Sequence, residues 1–482
     1  MPQDSHYAIT QGSANQASTC YKNKFNRADR PEVVGSVSKF TRGLVVGAAA
    51  MLIGGWLGPA DAAELGEDCC DDLEERIAEL EATTARKGNR NVSLIVSGWV
   101  HEQIAFWDDG TARDAYIGTS PVQQSRVKFL GEARIDKDWS AGYLIEIGIN
   151  GHPGGQWDQT GPSSKSATSP DNGLLVRRSS WYVKNNNVGR VLVGQDALTT
   201  YHLLADSDST MTRNIYHDEA QASFQAKFFI RDQSGNFVNA GGSTPLRWTD
   251  VLRGYNNSTP GNGGRRNIVR YDSPTVAGFT ASAAWGEGDL WDTTLVYRGA
   301  FGDFLVNGRT GYGHSSNGAS TQCHTIPAAG ENGDCSWWGV SGFVQHKPTG
   351  VFVLASYGEQ IDNSRAQYAR QPGLVDDTDT TWFVQAGVEY RWNSLGKTNF
   401  FGEYRHDDPG SNVSASGILR TQSAAIDFWT AGVIQHIDSA DMMLYVLYQR
   451  ADGNFEANLA SGLTDVQIAP FQQVRAGVRY AF

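Results

Sequence analysis

Residues 126–135 read RVKFLGEARI, and the next run, 139–150, reads WSAGYLIEIGIN. In the first, Val127, Phe129, Gly131, Ala133 and Ile135 fall on one face and Arg126, Lys128, Leu130, Glu132 and Arg134 on the other. In the second, Ala141, Tyr143, Ile145, Ile147 and Ile149 oppose Gly142, Leu144, Glu146, Gly148 and Asn150. A period of two is the signature of a β-strand whose faces meet different surroundings. Only Asp136-Lys137-Asp138 separates the runs, so they form a hairpin.

The same contrast returns at 382–391 (Trp382, Val384, Ala386, Val388, Tyr390 against Gln385, Gly387, Glu389, Arg391). It closes the chain at 473–482 (Val474, Ala476, Val478, Tyr480, Phe482 against Gln473, Arg475, Gly477, Arg479). A soluble sandwich alternates too, but its strands are shorter, typically about five or six residues. Here the runs approach the roughly 9–11 residues that cross a bilayer at a tilt, with aromatics near their ends. Short links at 136–138, 185–188, 273–276, 300–302, 347–350, 393–396 and 438–440 alternate with long ones at 107–122, 150–173, 196–264, 314–335, 359–379, 407–424 and 452–469. Only 287–290 breaks the alternation. Short turns at one end and long loops at the other predict an all-β fold, a transmembrane antiparallel β-barrel of about sixteen strands. A barrel of that width leaves an aqueous channel.

Composition agrees. The chain has 482 residues, 40% apolar, 11% aromatic and only 19% charged, with 54 glycines. Its mean hydropathy of −0.40 excludes a bundle of apolar helices, which needs runs of about 20 apolar residues, while the aromatic content excludes a disordered chain. Forty basic against 52 acidic residues, net −12, argue against a nucleic-acid partner. The negative hydropathy is an average over two strand faces and polar loops. Net charge does not set the sign of a preferred ion, because Arg and Lys recur on the strand face assigned to the lumen.

The chain begins differently. Lys39 and Arg42 precede the apolar run Gly43–Leu57, and Ala60-Asp61-Ala62 follows, the order of an export signal cleaved before Ala63; residues 1–62 are read as a leader removed on export. Residues 63–90 are read as a short periplasmic helical or coiled-coil segment, with Leu73, Ile77 and Leu80 as an oligomerising stripe. Residues 91–482 form the barrel. The five cysteines show no zinc spacing, and no metal or cofactor is expected. Cys323 and Cys335, in one Gly/Asn-rich loop, are a candidate disulfide in an oxidising compartment.

Three segments carry a resemblance: QVRAGVRYAF at 473–482, ending on Tyr480-Ala481-Phe482; RRNIVRYDSPTVAGFTASAAWGEGD at 265–289; and GRVLVGQD at 189–196. In these and in the layout of 92–482 the chain resembles the general porins of Gram-negative bacteria, most closely the alphaproteobacterial type. The resemblance implies a homotrimer in outer-membrane lipid, with water-filled pores for passive diffusion of small hydrophilic solutes and ions. It implies a third long loop, near 196–264, folded into the lumen with acidic residues facing a basic wall. Candidates for the wall are Arg126, Lys128, Arg134 and Arg178; for the loop, Asp196, Asp206, Asp208, Asp218 and Glu219. Arg177 shares parity with Trp181 and Val183 and is expected to face outward. Asp206-x-Asp208-x-Thr210 starts like a calcium loop, but its twelfth position is His217 rather than Glu.

Two other functions compete. A substrate-specific channel would show aromatic stacking residues along the lumen. A barrel enzyme would need a nucleophile with a positioned base; His101, His202, His217 and His436 are present, but there is no G-x-S-x-G or H-E-x-x-H, so no enzyme is expected.

Overall fold

The computed structural model describes residues 92–151, 154–161, 173–216, 224–241, 244–252, 259–316, 333–414 and 416–482. The chain divides into two units, 1–73 and 74–482, and all described residues belong to the second. The export signal, the stripe Leu73, Ile77 and Leu80, the acids Asp218 and Glu219, and Cys323 lie outside the described residues.

Among the described residues nineteen strands form one sheet that closes on itself. They are β1 Ser93–Asp108, β2 Arg113–Thr119, β3 Arg126–Arg134, β4 Trp139–Asn150, β5 Gly173–Asn185, β6 Gly189–Ala197, β7 Arg265–Asp272, β8 Phe279–Gly286, β9 Leu290–Phe301, β10 Phe304–Ser315, β11 Cys335–His346, β12 Val351–Asp362, β13 Thr378–Tyr390, β14 Thr398–Asp408, β15 Asn412–Val413, β16 Leu419–Ile437, β17 Met442–Leu459, β18 Gly462–Gln467 and β19 Phe471–Ala481. Sixteen of them make a closed antiparallel barrel. The other three, β2, β15 and β18, pair only with the far ends of β1, β16 and β17 and raise that side of the rim beyond the long-loop end. These additions lie inside stretches that the sequence reading leaves as loops.

Closure comes from β1 against β19, in register from Trp99↔Ala481 to Asp108↔Gln472. The C-terminal residue takes part: the Gly98 amide donates to the Phe482 carbonyl at 2.9 Å, and the Phe482 amide donates to Gly98 at 3.1 Å.

Outward side chains are apolar and exposed, as lipid requires. At the long-loop end, aromatics stand side by side on successive strands: Trp291 and Tyr312 lie 5.5 Å apart, Trp338 and Tyr357 5.2 Å, Trp382 and Tyr404 5.2 Å, and Tyr404 and Trp429 4.4 Å. A second belt at the short-turn end includes Phe279–Tyr297 at 4.7 Å and Trp392–Phe400 at 5.5 Å. Between the belts lie exposed Val340, Val344, Val353, Val384 and Val446. Two aromatic girdles around an aliphatic band match the interfaces and core of a bilayer.

Candidate functional site

Whatever this barrel does, it does inside the lumen, and the link between β6 and β7 determines what space is left there. That link enters as an irregular chain with two short helices, α1 Thr212–Ile215 and α2 Trp248–Val251. Polar anchors on neighbouring strands hold it against the inner wall. Asp292 on β9 accepts the Thr200 amide and hydroxyl, both at 2.7 Å. Asn307 on β10 donates to the Ser207 carbonyl at 2.8 Å. Ser341 on β11 donates to Leu203 and Ser356 on β12 to Leu204, both at 2.7 Å. Glu389 on β13 accepts the Met211 amide at 2.7 Å, and Glu403 on β14 accepts the Tyr216 hydroxyl at 3.1 Å.

The loop lies this close because the wall is bare there. Gly311, Gly339 and Gly358 stand in direct register across β10, β11 and β12. A Cβ on Gly358 would sit 2.1 Å from the Pro260 carbonyl oxygen, and one on Gly339 2.9 Å from Leu204. Below this row of glycines Leu204, Met211, Ile215 and Tyr216 are buried against inward Phe343, Phe352, Phe383 and Phe401. Above it, a buried aromatic cluster joins Phe224, Phe228 and Trp248 of the loop to Trp107, Trp157 and Phe471. Among the described residues the loop thus fills the lumen along β11–β17 below the glycines and along β16–β19 and β1 above them.

The opposite half stays polar and basic. A cavity of about 470 Å³ lies against β5, β6, β7 and β10. A second, of about 580 Å³, extends towards the short-turn end, and the two share Arg190, Arg270 and Arg309 in their walls. Asp206 of the loop reaches the wall here, 3.1 Å from Arg309, and also holds Arg213 of the loop's own helix α1 at 2.5 Å. Asp272 neutralises Arg190 at 2.7 Å and Arg270 at 2.8 Å.

Further along the wall, Glu146 on β4 gathers arginines: Arg126 and Arg177 each approach its Oε1 at 2.8 Å, and Arg178 lies 3.9 Å from Oε2. Arg177 corrects the outward expectation. The β4–β5 register shifts between Glu146 and Ile147, so a bulge breaks the parity and both Arg177 and Arg178 reach the inner side. Gly148 leaves the room: a Cβ there would lie 2.9 Å from Arg177 Cδ. Beside this cluster the Trp99 indole carries three cations, with Arg479 at 4.2 Å, Lys128 at 4.4 Å and Arg126 at 4.5 Å from the ring centroid; such contacts are attractive through the ring quadrupole.

The sequence-predicted residues thus separate. Arg126, Lys128 and Arg178 come together near Glu146. Arg134 does not: it sits at the short-turn end of β3 and donates to the carbonyls of Asp136 at 2.8 Å and Lys137 at 3.3 Å. Asp196 belongs to β6 rather than to the loop, accepts the Ser180 hydroxyl at 2.6 Å and lies 3.5 Å from Arg178. Asp208 is buried in the loop, where it accepts the Thr210 amide at 2.7 Å. Cys335 is buried and disulfide-bonded. Glu146, Arg177, Arg213, Arg270, Arg309 and Arg479 join the lumen charge set beyond the candidates; alternation alone marks Glu146, Arg270, Arg309 and Arg479 as inward without saying which share a level.

The balance of partners is asymmetric. Glu146, Asp196, Asp206 and Asp272 each have a hydrogen bond or ion pair within the wall and loop. Among the described residues, Lys128, Arg178, Arg298, Arg475 and Arg479 donate no side-chain hydrogen bond to the protein, and Arg475 and Arg479 hold buried guanidinium nitrogens without a partner. Along the described wall from β3 to β10, basic side chains outnumber acidic ones.

The model of the Gram-negative porin family matches residues 91–482. No curated sequence matches the chain. Among solved structures, an anion-selective porin from Comamonas acidovorans is similar with a TM-score of 0.51 at 16% identity, covering 81% of this chain and 100% of that one. OmpF of Salmonella typhi in complex with daunomycin is similar at 0.49 and 14% identity, covering 81% and 98%. The outer membrane channel DcaP of Acinetobacter baumannii is similar at 0.45 and 14% identity, covering 83% and 100%.

Proposed function

The chain belongs to the Gram-negative porin family and is a passive channel of the outer membrane, and from that premise we propose that its conducting path is the arginine-lined passage along β5–β10, left open beside the inward loop. The observation that carries this reading is the division of the lumen. Among the described residues the loop packs against β9–β17 near the glycine row and against β16–β19 and β1 above it, while the two polar cavities, which share three arginines, lie along β5–β10 with Asp206 and Arg213 of the loop at their edge. In such a passage fixed guanidinium groups replace part of an anion's hydration shell, while opposed charges such as Asp206 and Arg309 order water and disfavour apolar solutes. Nothing in this mechanism requires an energy source.

Arg126, Lys128 and Arg178 act as the basic wall, with Asp196 and Asp206 as its acidic counterpart, and the pore favours anions because the wall cations outnumber their acid partners. The working form is a homotrimer, as the resemblance implies, with the stripe Leu73, Ile77 and Leu80 contributing to assembly.

Planar-bilayer recording of the purified protein tests the pore. Stepwise conductance with a reversal potential of anion-preferring sign is expected; absence of steps would overturn the reading. Native mass measurement before and after deletion of 71–86 tests the trimer and the helix separately.

A further inference from the structure

In the polar half of the lumen four neighbouring inner-wall positions are apolar. Leu130 and Leu144 are direct register partners on β3 and β4, and Tyr182 and Leu192 are direct partners on β5 and β6. All four line the cavity of about 470 Å³ together with Arg178 and Arg309, whose acid partners Asp196 and Asp206 also stand in the lining. That volume lies within the roughly 300–1,000 Å³ of small-molecule sites. Water alone does not explain such a flank, because a patch of leucines beside guanidinium groups gains nothing from an inorganic ion. The cationic side keeps donors to spare: Arg178 Nε and Arg309 Nε are both buried without a hydrogen-bond partner, while Arg309 Nη1 is held by Asp206. Arg178 makes no side-chain hydrogen bond to the protein, only looser ion pairs at 3.5 and 3.9 Å.

We propose that this cavity is a saturable binding site for small organic carboxylates with an apolar body, the carboxylate held by Arg178 and Arg309 and the body lying on Leu130, Leu144, Tyr182 and Leu192. Planar forks match carboxylate geometry, and the leucines recover the apolar area that such a solute would otherwise expose to water. The inference rests on the pore reading above. It makes the channel selective by amphipathic shape as well as by charge, while transport stays passive.

The test is current block by four probes added to chloride-carrying channels: benzoate, acetate, sulfate and benzyl alcohol. Benzoate should block saturably at a concentration about tenfold or more below acetate, reflecting the buried ring. Arg178→Gln should abolish block by both carboxylates. Leu144→Gln or Leu192→Gln should close the gap between benzoate and acetate, with chloride steps retained as proof of a folded pore. Equal block by benzoate and acetate, block by sulfate as strong as by benzoate, or block by benzyl alcohol as strong as by benzoate would each overturn the proposal. Loss of chloride conductance in the native protein would instead overturn the pore reading on which it rests.

Discussion

Asp206 of the inward loop and Arg309 of the β10 wall meet at 3.1 Å, and the same carboxylate holds Arg213 at 2.5 Å. One acid thus fixes the loop to the wall at the edge of the passage and neutralises two guanidinium groups that would otherwise face permeating ions.

Replacing Asp206 with Asn should therefore do two things. It releases positive charge into the path, so the reversal potential in a salt gradient moves towards the anion value. It also loosens the loop, so open-channel noise rises. A double-mutant cycle with Arg309→Gln should return a coupling of about 0.5–3 kcal/mol in thermal unfolding. A cycle that closes to zero would mean that the contact does not restrain the loop.

The glycine row makes a steric prediction. Gly358→Ala would place a methyl 2.1 Å from the Pro260 backbone oxygen, where no flexible side chain can give way. The loop must lift from β12, at about 1–3 kcal/mol for overpacking, and single-channel conductance should rise as the passage widens. Gly342→Ala, on the neighbouring strand where a Cβ meets nothing within 4 Å, should leave both conductance and melting temperature unchanged.

What alternation could and could not reveal follows from these contacts. Period two assigned faces correctly on β3, β4, β13 and β19, and the loop lengths set the strand count, because both depend only on local spacing. Parity failed at Arg177, where one extra residue in the ladder shifts the face without leaving a local mark. It also carried no depth: Arg134 shares a face with Arg126 but lies at the short-turn end. The packing of Leu204, Met211 and Tyr216 against inward phenylalanines was hidden because an irregular loop has no period, and its partners lie more than a hundred residues away in sequence.

Asp208 sets a pH dependence. Burial, the largest cause, with the Glu389 charge adding to it, pushes its carboxyl up to about 6, against the Thr210 hydrogen bonds and Arg213, which lower it. Its folded value thus exceeds the ordinary 3.8, and the folded state binds the extra proton between about pH 4 and 6. Stability should fall as pH rises through that window and level off above it. Asp208→Asn keeps an acceptor for the Thr210 amide and removes the titration. The variant should melt higher than the native protein at pH 7.5 and with it at pH 4. A constant difference across pH would assign the effect to something other than the carboxyl.

The cations around Trp99 separate fixed charge from structure. Arg126 is buried, 2.8 Å from Glu146, and donates to the Gln124 carbonyl at 3.0 Å; Lys128 rests on the indole with no hydrogen bond to the protein. Lys128→Gln removes an uncompensated charge, so it should move ion selectivity towards cations at little cost in stability. Arg126→Gln leaves Glu146 with Arg177 and a partly emptied pocket, so it should lower stability by about 1–3 kcal/mol along with any change in selectivity. Reversal potential and thermal unfolding measured on both variants distinguish the roles. If Lys128→Gln leaves selectivity unchanged, Lys128 lies outside the conducting path; if Arg126→Gln leaves the melting temperature unchanged, the Glu146 cluster does not brace the wall.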